Sequence, residues 1–342
     1  MISFRQIAER FKREPTDLVG IDVSPGATYA VRMRKSNKEI TVTATDVLPA
    51  VTLPQAPDEG APAALSIPNH LRAKYACMVC AGSKGVIKFL SFPGPFENDT
   101  EGKLVQNLGL SDPDDYRIAY HVVVKGHGKS ESRVIAVAIP EPEARGVISL
   151  LPSGLPAPYS LEVADLASLT AFQHACGRKH AEEAVGVMNF GVDASSFALF
   201  SSATLVLIRR FDIGINSLLS SVQKNLGVDT ETASGIISDG SFDISHAVSE
   251  VMESLTKQIV LSRDFVERRE DCHVQHIYLS GELADSRDVV EELHASTGLD
   301  VSPWNPFEGL TVGKSAFKEG AAGKEWRFSA AVGACLGTFE EL

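Results

Sequence analysis

The chain has 342 residues, 44% of them hydrophobic, and carries a formal net charge of −12 at pH 7. This length allows two domains or one duplicated unit with an insertion, and the apolar share can build a sizeable core. The acidic balance, without any basic run, argues against a nucleic-acid surface. Because the chain shows neither an apolar stretch of membrane-span length nor a signal peptide, and its five cysteines are scattered, we expect a cytoplasmic protein with reduced thiols.

Residues 1–15 are expected to form a separate amphipathic helix or tail that Pro15 ends. The apolar residues that fall roughly on one helical face are Ile2, Phe4, Ile7, Ala8 and Phe11, with basic residues elsewhere. Two interpretations stay open for this segment. It adheres weakly to an anionic membrane surface or a partner, or it is a helix folded back on the body or a frayed tail.

The most informative segment is residues 19–28. A short apolar strand ends at Asp22, and a turn of small residues leads into a second strand, residues 29–34. Such a turn brings backbone N–H groups together, as a phosphate-binding hairpin requires. The pattern returns in altered form at residues 185–196. One copy is most simply an ordinary turn, whereas two copies half a chain apart predict a duplicated fold that closes over one cleft.

Alternating and helical hydrophobic patterns predict the remaining elements. The predicted strands are 39–47, 75–81, 86–92, 117–124, 133–139, 159–163, 185–190, 197–201, 204–211, 274–279 and 300–302. The predicted helices are 98–108, 141–150, 166–180, 214–226, 243–267, 288–296 and 329–339. Strands 75–81 and 86–92 are expected to pair across a Gly-containing turn. Residues 49–63, rich in Pro and Ala, are predicted as a surface linker.

Five short segments follow a family pattern in order along the chain. They are 18–22, an opening strand with its phosphate loop; 277–281, a strand into an adenosine loop; 298–301 with the Asn-Pro-Phe stretch in 304–307; and 330–334, a closing helix. Together they resemble the PilM family, actin-like cytoplasmic proteins of type IV pilus assembly that are related to FtsA and to the cytoplasmic domain of GspL. The resemblance extends over nearly the whole chain.

This resemblance implies an α/β, actin-like (ribonuclease H-like) duplicated fold with an inserted β-β-α-β-β-α subdomain. The first actin-like subdomain would comprise residues 16–74, 160–184 and 320–342. Residues 75–159 would form the inserted subdomain, and 185–319 the second actin-like subdomain, with 216–270 as its helical outer part.

The resemblance also implies a cleft for ATP and Mg²⁺. The predicted site residues are Asp22, Ser24, Gly26, Ala27, Thr28, Asn189, Gly191, Asp193, Ser195, Gly281 and Glu282, with Asp22 as the residue that positions the metal. The loops 24–28 and 191–196 would cradle phosphates. No catalytic residue is assigned.

Four departures from the family pattern bear on this site. Ser24 stands where the first loop usually has Gly, Pro25 removes an N–H donor, and no lysine follows in the next strand. Asn189 replaces an Asp, which weakens charge-based positioning of Mg²⁺. Glu282 follows the adenosine-loop Gly281 and would repel phosphate, and residues 230–237 contain no lysine. Together these changes predict that nucleotide binding is weak or lost.

Three functions are therefore considered. The first is a non-enzymatic scaffold at the inner membrane that binds the N-terminal tail of a PilN-like membrane protein beside the inserted subdomain, together with other pilus or secretion platform proteins and without nucleic acid. The second is an ATPase that switches conformation with nucleotide. The third, a sugar or acetate kinase, would need a second substrate pocket with a catalytic carboxylate, which the sequence does not indicate. We favour the scaffold, located in the cytoplasm and peripheral to the inner membrane through its partners.

Other groups of metal-binding residue types are interpreted as structural. Cys77 and Cys80 fall in a predicted strand, where side chains three apart point to opposite faces, so buried thiols are expected. Cys272, His273 and His276 are expected to be surface side chains without a fourth ligand. The same interpretation applies to His174, Cys176 and His180, which share one predicted helix.

Overall fold

A computed structural model describes residues 15–51, 53, 62–97, 100–151, 153–240, 242–318 and 321–340. The predicted N-terminal amphipathic segment lies outside the described residues, apart from Pro15, and so does most of the predicted 49–63 linker. Among the described helices, none is both long and apolar enough to cross a membrane.

The strands and helices follow the predicted order. The strands are β1 Asp17–Val23, β2 Thr28–Ser36, β3 Glu39–Leu48, β4 Tyr75–Cys80, β5 Val86–Pro93, β6 Tyr116–Val124, β7 Glu131–Pro140, β8 Ala157–Val163, β9 Ala184–Phe190, β10 Ser195–Ser201, β11 Thr204–Phe211, β12 Val274–Gly281, β13 Asp300–Pro303 and β14 Thr311–Val312. The helices are α1 Thr100–Leu108, α2 Glu141–Ser149, α3 Ala164–Cys176, α4 Ile215–Leu226, α5 Thr230–Asp239, α6 Ser245–Glu270, α7 Arg287–Thr297 and α8 Ser329–Glu340.

Two sheets of the molecule share one topology. The first has the order β14-β3-β2-β1-β4-β8, and the second has the order β11-β10-β9-β12-β13. In each sheet, three successive strands form an antiparallel meander. The first strand of the meander also pairs in parallel with a fourth strand, and the fourth pairs in parallel with a fifth. This repeated order confirms the duplication that the two hairpin patterns predicted.

Helices α3 and α8 lie between the two sheets. One cluster of buried side chains contains Leu18 of the first sheet, Val187 of the second, Phe172 of α3 and Leu336 of α8. Small residues let these helices approach closely: a Cβ added at Gly333 would lie 1.7 Å from the carbonyl oxygen of Ala167. The central layer therefore holds both halves of the fold in one packed unit.

The outer faces of the sheets are covered separately. Helix α2 packs on the first sheet, and α4, α6 and α7 pack on the second. Because both faces of β1 and β9 are covered, both strands are almost continuously buried rather than alternating. The strand ends, with their turns, are left to form the cleft.

A third sheet lies between the two halves in the sequence and has the order β5-β7-β6, with α1 packed on one face. The predicted order of elements over residues 75–159 is present, but the predicted pairing of its first two strands is wrong. β4 pairs in parallel with β1 and β8, whereas β5 pairs with β7. The turn after Cys80 carries the chain from one sheet to another, and local turn chemistry does not distinguish this from a hairpin. We therefore propose that the inserted unit begins at β5.

Three other assignments differ from the prediction. β14, assigned to the second half, pairs with β3 in the first sheet; two exposed residues leave no periodic signal. Helix α3 ends at Cys176 instead of residue 180, since Gly177 follows and disfavours helix. His180 therefore does not share a helix with His174 and Cys176. Helix α6 begins at Ser245, and Asp243 still caps its start, because its Oδ1 accepts a hydrogen bond from the Ser245 N–H at 2.9 Å.

Candidate functional site

The turns that follow β1, β9 and β12 meet at one cavity between the two halves. Seven of the predicted site residues line it, namely Asp22, Ser24, Asn189, Gly191, Asp193, Gly281 and Glu282. The cavity is small, about 60 Å³, against the roughly 300–1,000 Å³ typical of small-molecule pockets. It is lined by charged side chains and the Asn189 amide, together with small and apolar residues of the surrounding loops and helices.

Asp22 lies at the base of this cavity and is only 8% exposed. Burial, together with the nearby charges of Glu282 and Asp165, raises the pKa of its carboxyl to about 7. A carboxylate in this position is destabilised because it is removed from water and faces like charges. At neutral pH Asp22 is therefore only partly ionised.

Asn189 occupies the equivalent position at the end of β9 and is satisfied by its neighbours. Its Oδ1 accepts a hydrogen bond from Ser280 Oγ at 3.0 Å, and its Nδ2 donates to Asp165 Oδ1 at 3.5 Å. The amide can serve as both acceptor and donor, whereas an aspartate here could not donate to Asp165. Asn189 therefore holds a buried hydrogen-bond network without adding charge.

Arg210, on β11, closes one side of the cavity. Its guanidinium donates to the carbonyl oxygens of Ala81 and Gly82, and its Nε lies 3.8 Å from Asp165 Oδ2. Arg210 thus ties the second sheet to the turn after β4 and to the start of α3. These contacts engage two of the five guanidinium N–H donors and place the Nε beside a carboxylate.

A second bridge crosses the cleft at Glu282. The Tyr29 hydroxyl, from β2, donates to Glu282 Oε1 at 2.7 Å, and Arg327 lies 3.5 Å from Glu282 Oε2. Burial and the Glu282 carboxylate raise the pKa of Tyr29 above its usual value, so the hydroxyl stays a donor. The Glu282 side chain of the adenosine loop therefore joins the two halves of the fold directly.

Gly281 is required at the start of this loop by sterics. Its φ is +84°, and an added Cβ would lie 2.0 Å from the carbonyl oxygen of Phe190. The amide of Glu282 donates to that same carbonyl at 3.0 Å. The close approach of these two backbones sets the direction of the Glu282 side chain toward Tyr29.

A larger cavity of about 940 Å³ lies on the other side of this bridge, among α4, α5, the start of α6 and α7. Tyr29, Glu282 and Arg327 line both cavities. Gly26 and Ala27 line only the larger one. The bridge therefore lies between the two cavities, and the residues of the predicted phosphate loop 24–28 are divided between them.

The remaining predicted site residues do not line either cavity. The Ser195 hydroxyl donates to the Ile213 carbonyl, and Thr28 is fully buried. Sequence reasoning missed Asp165, Arg210 and Arg327, because they come from a helix start, the end of a strand and a short 3-10 turn without a local motif. Tyr29 was named only as a strand residue.

The other His and Cys groups are placed as structural side chains. Cys77 and Cys80 are buried in different core clusters, on opposite faces of β4, as predicted. His276 contacts Ser302, and His273 pairs with Glu267. Within the part of the chain that the structure describes, no three His, Cys, Asp or Glu side chains are grouped so as to hold a metal ion.

This chain is similar to known proteins in structure, whereas the sequence comparisons found no match. No family model and no curated protein matches the chain. The structure is similar to the solved PilM–PilN type IV pilus biogenesis complex, with a TM-score of 0.73, 17% identity, and coverage of 94% of this chain and 98% of that one.

Two further solved structures match more weakly. MreB 5 of Spiroplasma citri bound to AMPPNP has a TM-score of 0.48 and 10% identity over 95% of this chain and 96% of that one. A Bacteroides thetaiotaomicron protein described as having an actin-like ATPase fold has a TM-score of 0.46 and 12% identity over 90% and 96%. The likeness to the PilM chain, with the repeated sheet order, shows that this protein has the PilM-like, actin-like fold.

Proposed function

We propose that this protein is a cytoplasmic scaffold of a type IV pilus-like or type II secretion-like inner-membrane platform. It binds the N-terminal tail of a PilN-like membrane protein and is held at the inner membrane through that partner. The single observation that carries the proposal is the fold likeness over 94% of the chain to the PilM chain of a PilM–PilN complex. The inserted β5-β7-β6 unit beside the first sheet is consistent with a docking role.

The cleft supports an inert scaffold rather than a nucleotide-driven switch. A nucleoside triphosphate brings several negative charges, yet the cavity between the hairpins already holds Asp22, Asp165 and Glu282. Its two arginines, Arg210 and Arg327, contact carbonyl and carboxylate groups, and no lysine among the described residues lines it. The space between the hairpins is about 60 Å³, and the Tyr29–Glu282 bridge lies between it and the cavity of about 940 Å³. These residues do not fit Mg·ATP.

An active, nucleotide-binding protein is the alternative, and one observation favours it. Arg327 Nε is buried and has no hydrogen-bond partner among the described residues, so one donor beside the cavity is available to an anion. Opening the Tyr29–Glu282 bridge would join this donor to both cavities. In that state Asp22 would position Mg²⁺-bound water, and the loops 24–28 and 191–196 would face the phosphates.

The scaffold is tested by direct binding to its expected partner. The full chain is titrated with the N-terminal cytoplasmic peptide of a single-span membrane protein encoded beside its gene, and with a scrambled peptide of the same composition. We expect saturable binding of the native peptide alone, with the same affinity in the presence and absence of Mg·ATP. Failure of every such tail from a pilus or secretion platform to bind would reject the scaffold. An affinity that changes with Mg·ATP would favour the alternative.

A further inference from the structure

A group of basic side chains gathers at the edge of the first sheet where the described chain begins. Asp17, at the start of β1, pairs with Arg32 at 2.8 Å and with Arg34 at 3.3 Å. Arg72 and Lys74 precede the neighbouring β4 and line a cleft with Asp17. We name Arg32, Arg34, Arg72, Lys74 and Asp17 the basic edge.

The basic edge has unused positive charge. Asp17 is its one carboxylate, and the two arginines of β2 already share it. Arg72 and Lys74 are exposed, and neither has an ion-pair partner among the described residues. In a chain of net charge −12, these cations make one edge of the first sheet locally positive.

An open cleft lies against these free cations. Its volume is about 420 Å³, and Ser153 and Leu155 complete its lining. The Leu155 side chain is 60% exposed. Nearby, Lys74 lies over the Tyr75 ring, which packs against Tyr159. Free cations beside an exposed leucine and tyrosine rings are the composition expected where a protein meets the polar layer of a bilayer.

The chain that leads into the basic edge has the same charge character. In sequence, residues 1–14 contain the bases Arg5, Arg10, Lys12 and Arg13 and the acids Glu9 and Glu14. In sequence, residues 15–17 connect this segment to β1, whose first residue, Asp17, belongs to the basic edge. Several basic groups close together bind an anionic surface far better than one.

We propose that the basic edge is a binding surface for anionic phospholipid, with Arg72 and Lys74 contacting phosphate groups and Leu155 entering the interfacial layer. This interaction is separate from the peptide binding proposed above. It would orient the first sheet with the N-terminal ends of β1 and β4 toward the membrane.

The test is sedimentation of the full chain with vesicles of phosphatidylcholine, with and without phosphatidylglycerol, at low and high salt. We expect binding to the anionic vesicles alone, and loss of that binding at high salt. Arg72→Glu with Lys74→Glu should weaken partition by at least about tenfold. The matched control, Lys103→Glu with Lys129→Glu, changes the net charge equally on exposed sites of the inserted unit and should bind like the unchanged protein.

Three outcomes would overturn the proposal. They are equal binding to both kinds of vesicle, unchanged binding by the Arg72/Lys74 variant, and equal weakening by the control variant. Binding to an acidic peptide, but not to anionic vesicles, would assign the basic edge to a protein partner instead. Arg72→Gln with Lys74→Gln is a milder variant, and matching thermal unfolding curves establish that each variant is folded.

Discussion

The β1–β2 hairpin and the β9–β10 hairpin hold equivalent places in their sheets, yet the polar groups at their cavity ends behave differently. Asp22 is a buried acid whose pKa is raised to about 7 by burial and by neighbouring acids. Asn189 is a neutral amide with hydrogen bonds to Ser280 and Asp165. The duplicated backbone therefore carries an acid at the end of one hairpin strand and a neutral amide at the equivalent place in the other. A fold comparison alone would miss this, since topology reports the strands and not the charges at their ends.

The largest effect is expected at the loop that faces the second hairpin. Gly281→Ala should lower the free energy of unfolding by about 4 kcal/mol or prevent folding, because its Cβ would meet the Phe190 backbone. Gly26→Ala in the first hairpin is the matched control. Its nearest neighbour would be a Val192 methyl group at 3.8 Å, and a change within about 1 kcal/mol is expected. Urea unfolding measures both, and equal costs would contradict the steric account.

Making the second hairpin resemble the first is the next largest change. Asn189→Asp places a carboxylate beside Asp165 and removes an amide donor, so a loss of about 2–4 kcal/mol at pH 7 is expected. The loss should shrink as pH falls toward 4 and the new carboxyl is protonated. The exposed Asn305→Asp keeps its acceptor role toward the Phe307 N–H and should cost little. Unchanged stability in the Asn189 variant would show that the second hairpin tolerates charge.

Making the first hairpin resemble the second should raise the free energy of unfolding instead of lowering it. The folded-state pKa of Asp22, about 7, lies above the unfolded value of about 3.9. Its stabilising contribution is therefore complete below pH of about 4 and is lost as pH rises through about 7. Asp22→Asn should be nearly neutral at pH 4 and more stable than the parent by about 1–3 kcal/mol at pH 8.

Unfolding curves across this pH range check the sign of the stability change that Asp22→Asn causes. Asp229→Asn is the control, because the Thr232 backbone N–H lowers the pKa of that exposed capping carboxyl and Asn also caps helices. A parent protein whose stability rises between pH 5 and 8, with the rise unaffected by Asp22→Asn, would contradict the buried-acid account.

The smallest effect is expected at the bridge between the halves. Tyr29→Phe removes one hydrogen bond to Glu282 and should cost about 1–2 kcal/mol. Combining it with Glu282→Ala should cost less than the sum of the two single changes, because both remove the same contact. Tyr75→Phe, in a ring pair with Tyr159 outside the cleft, is the control. Additive costs at Tyr29 and Glu282 would mean that the bridge is not formed in solution.

The sequence predicted more of the fold than of the cavity. Strands such as β1 and β9 were predictable because apolar runs and small-residue turns are local signals, and the repeat of those signals predicted the duplication. The pairing of β4 was not predictable, since a turn that carries the chain from one sheet to another has the same composition as a hairpin turn. Arg210 and Arg327 reach the cavity from segments distant in sequence, so only tertiary packing identifies them. Glu282 was expected to repel phosphate, but its bond with Tyr29 depends on the direction that Gly281 imposes.

Calorimetric titration of Mg·ATP into the full chain tests the central claim most directly, because a filled and acidic cavity should not accept a triphosphate. We predict no binding heat up to millimolar nucleotide for the unchanged protein. The same result is expected for the variant that combines Tyr29→Phe with Glu282→Ala and so lacks the bridge. A micromolar dissociation constant for the unchanged protein would contradict the account.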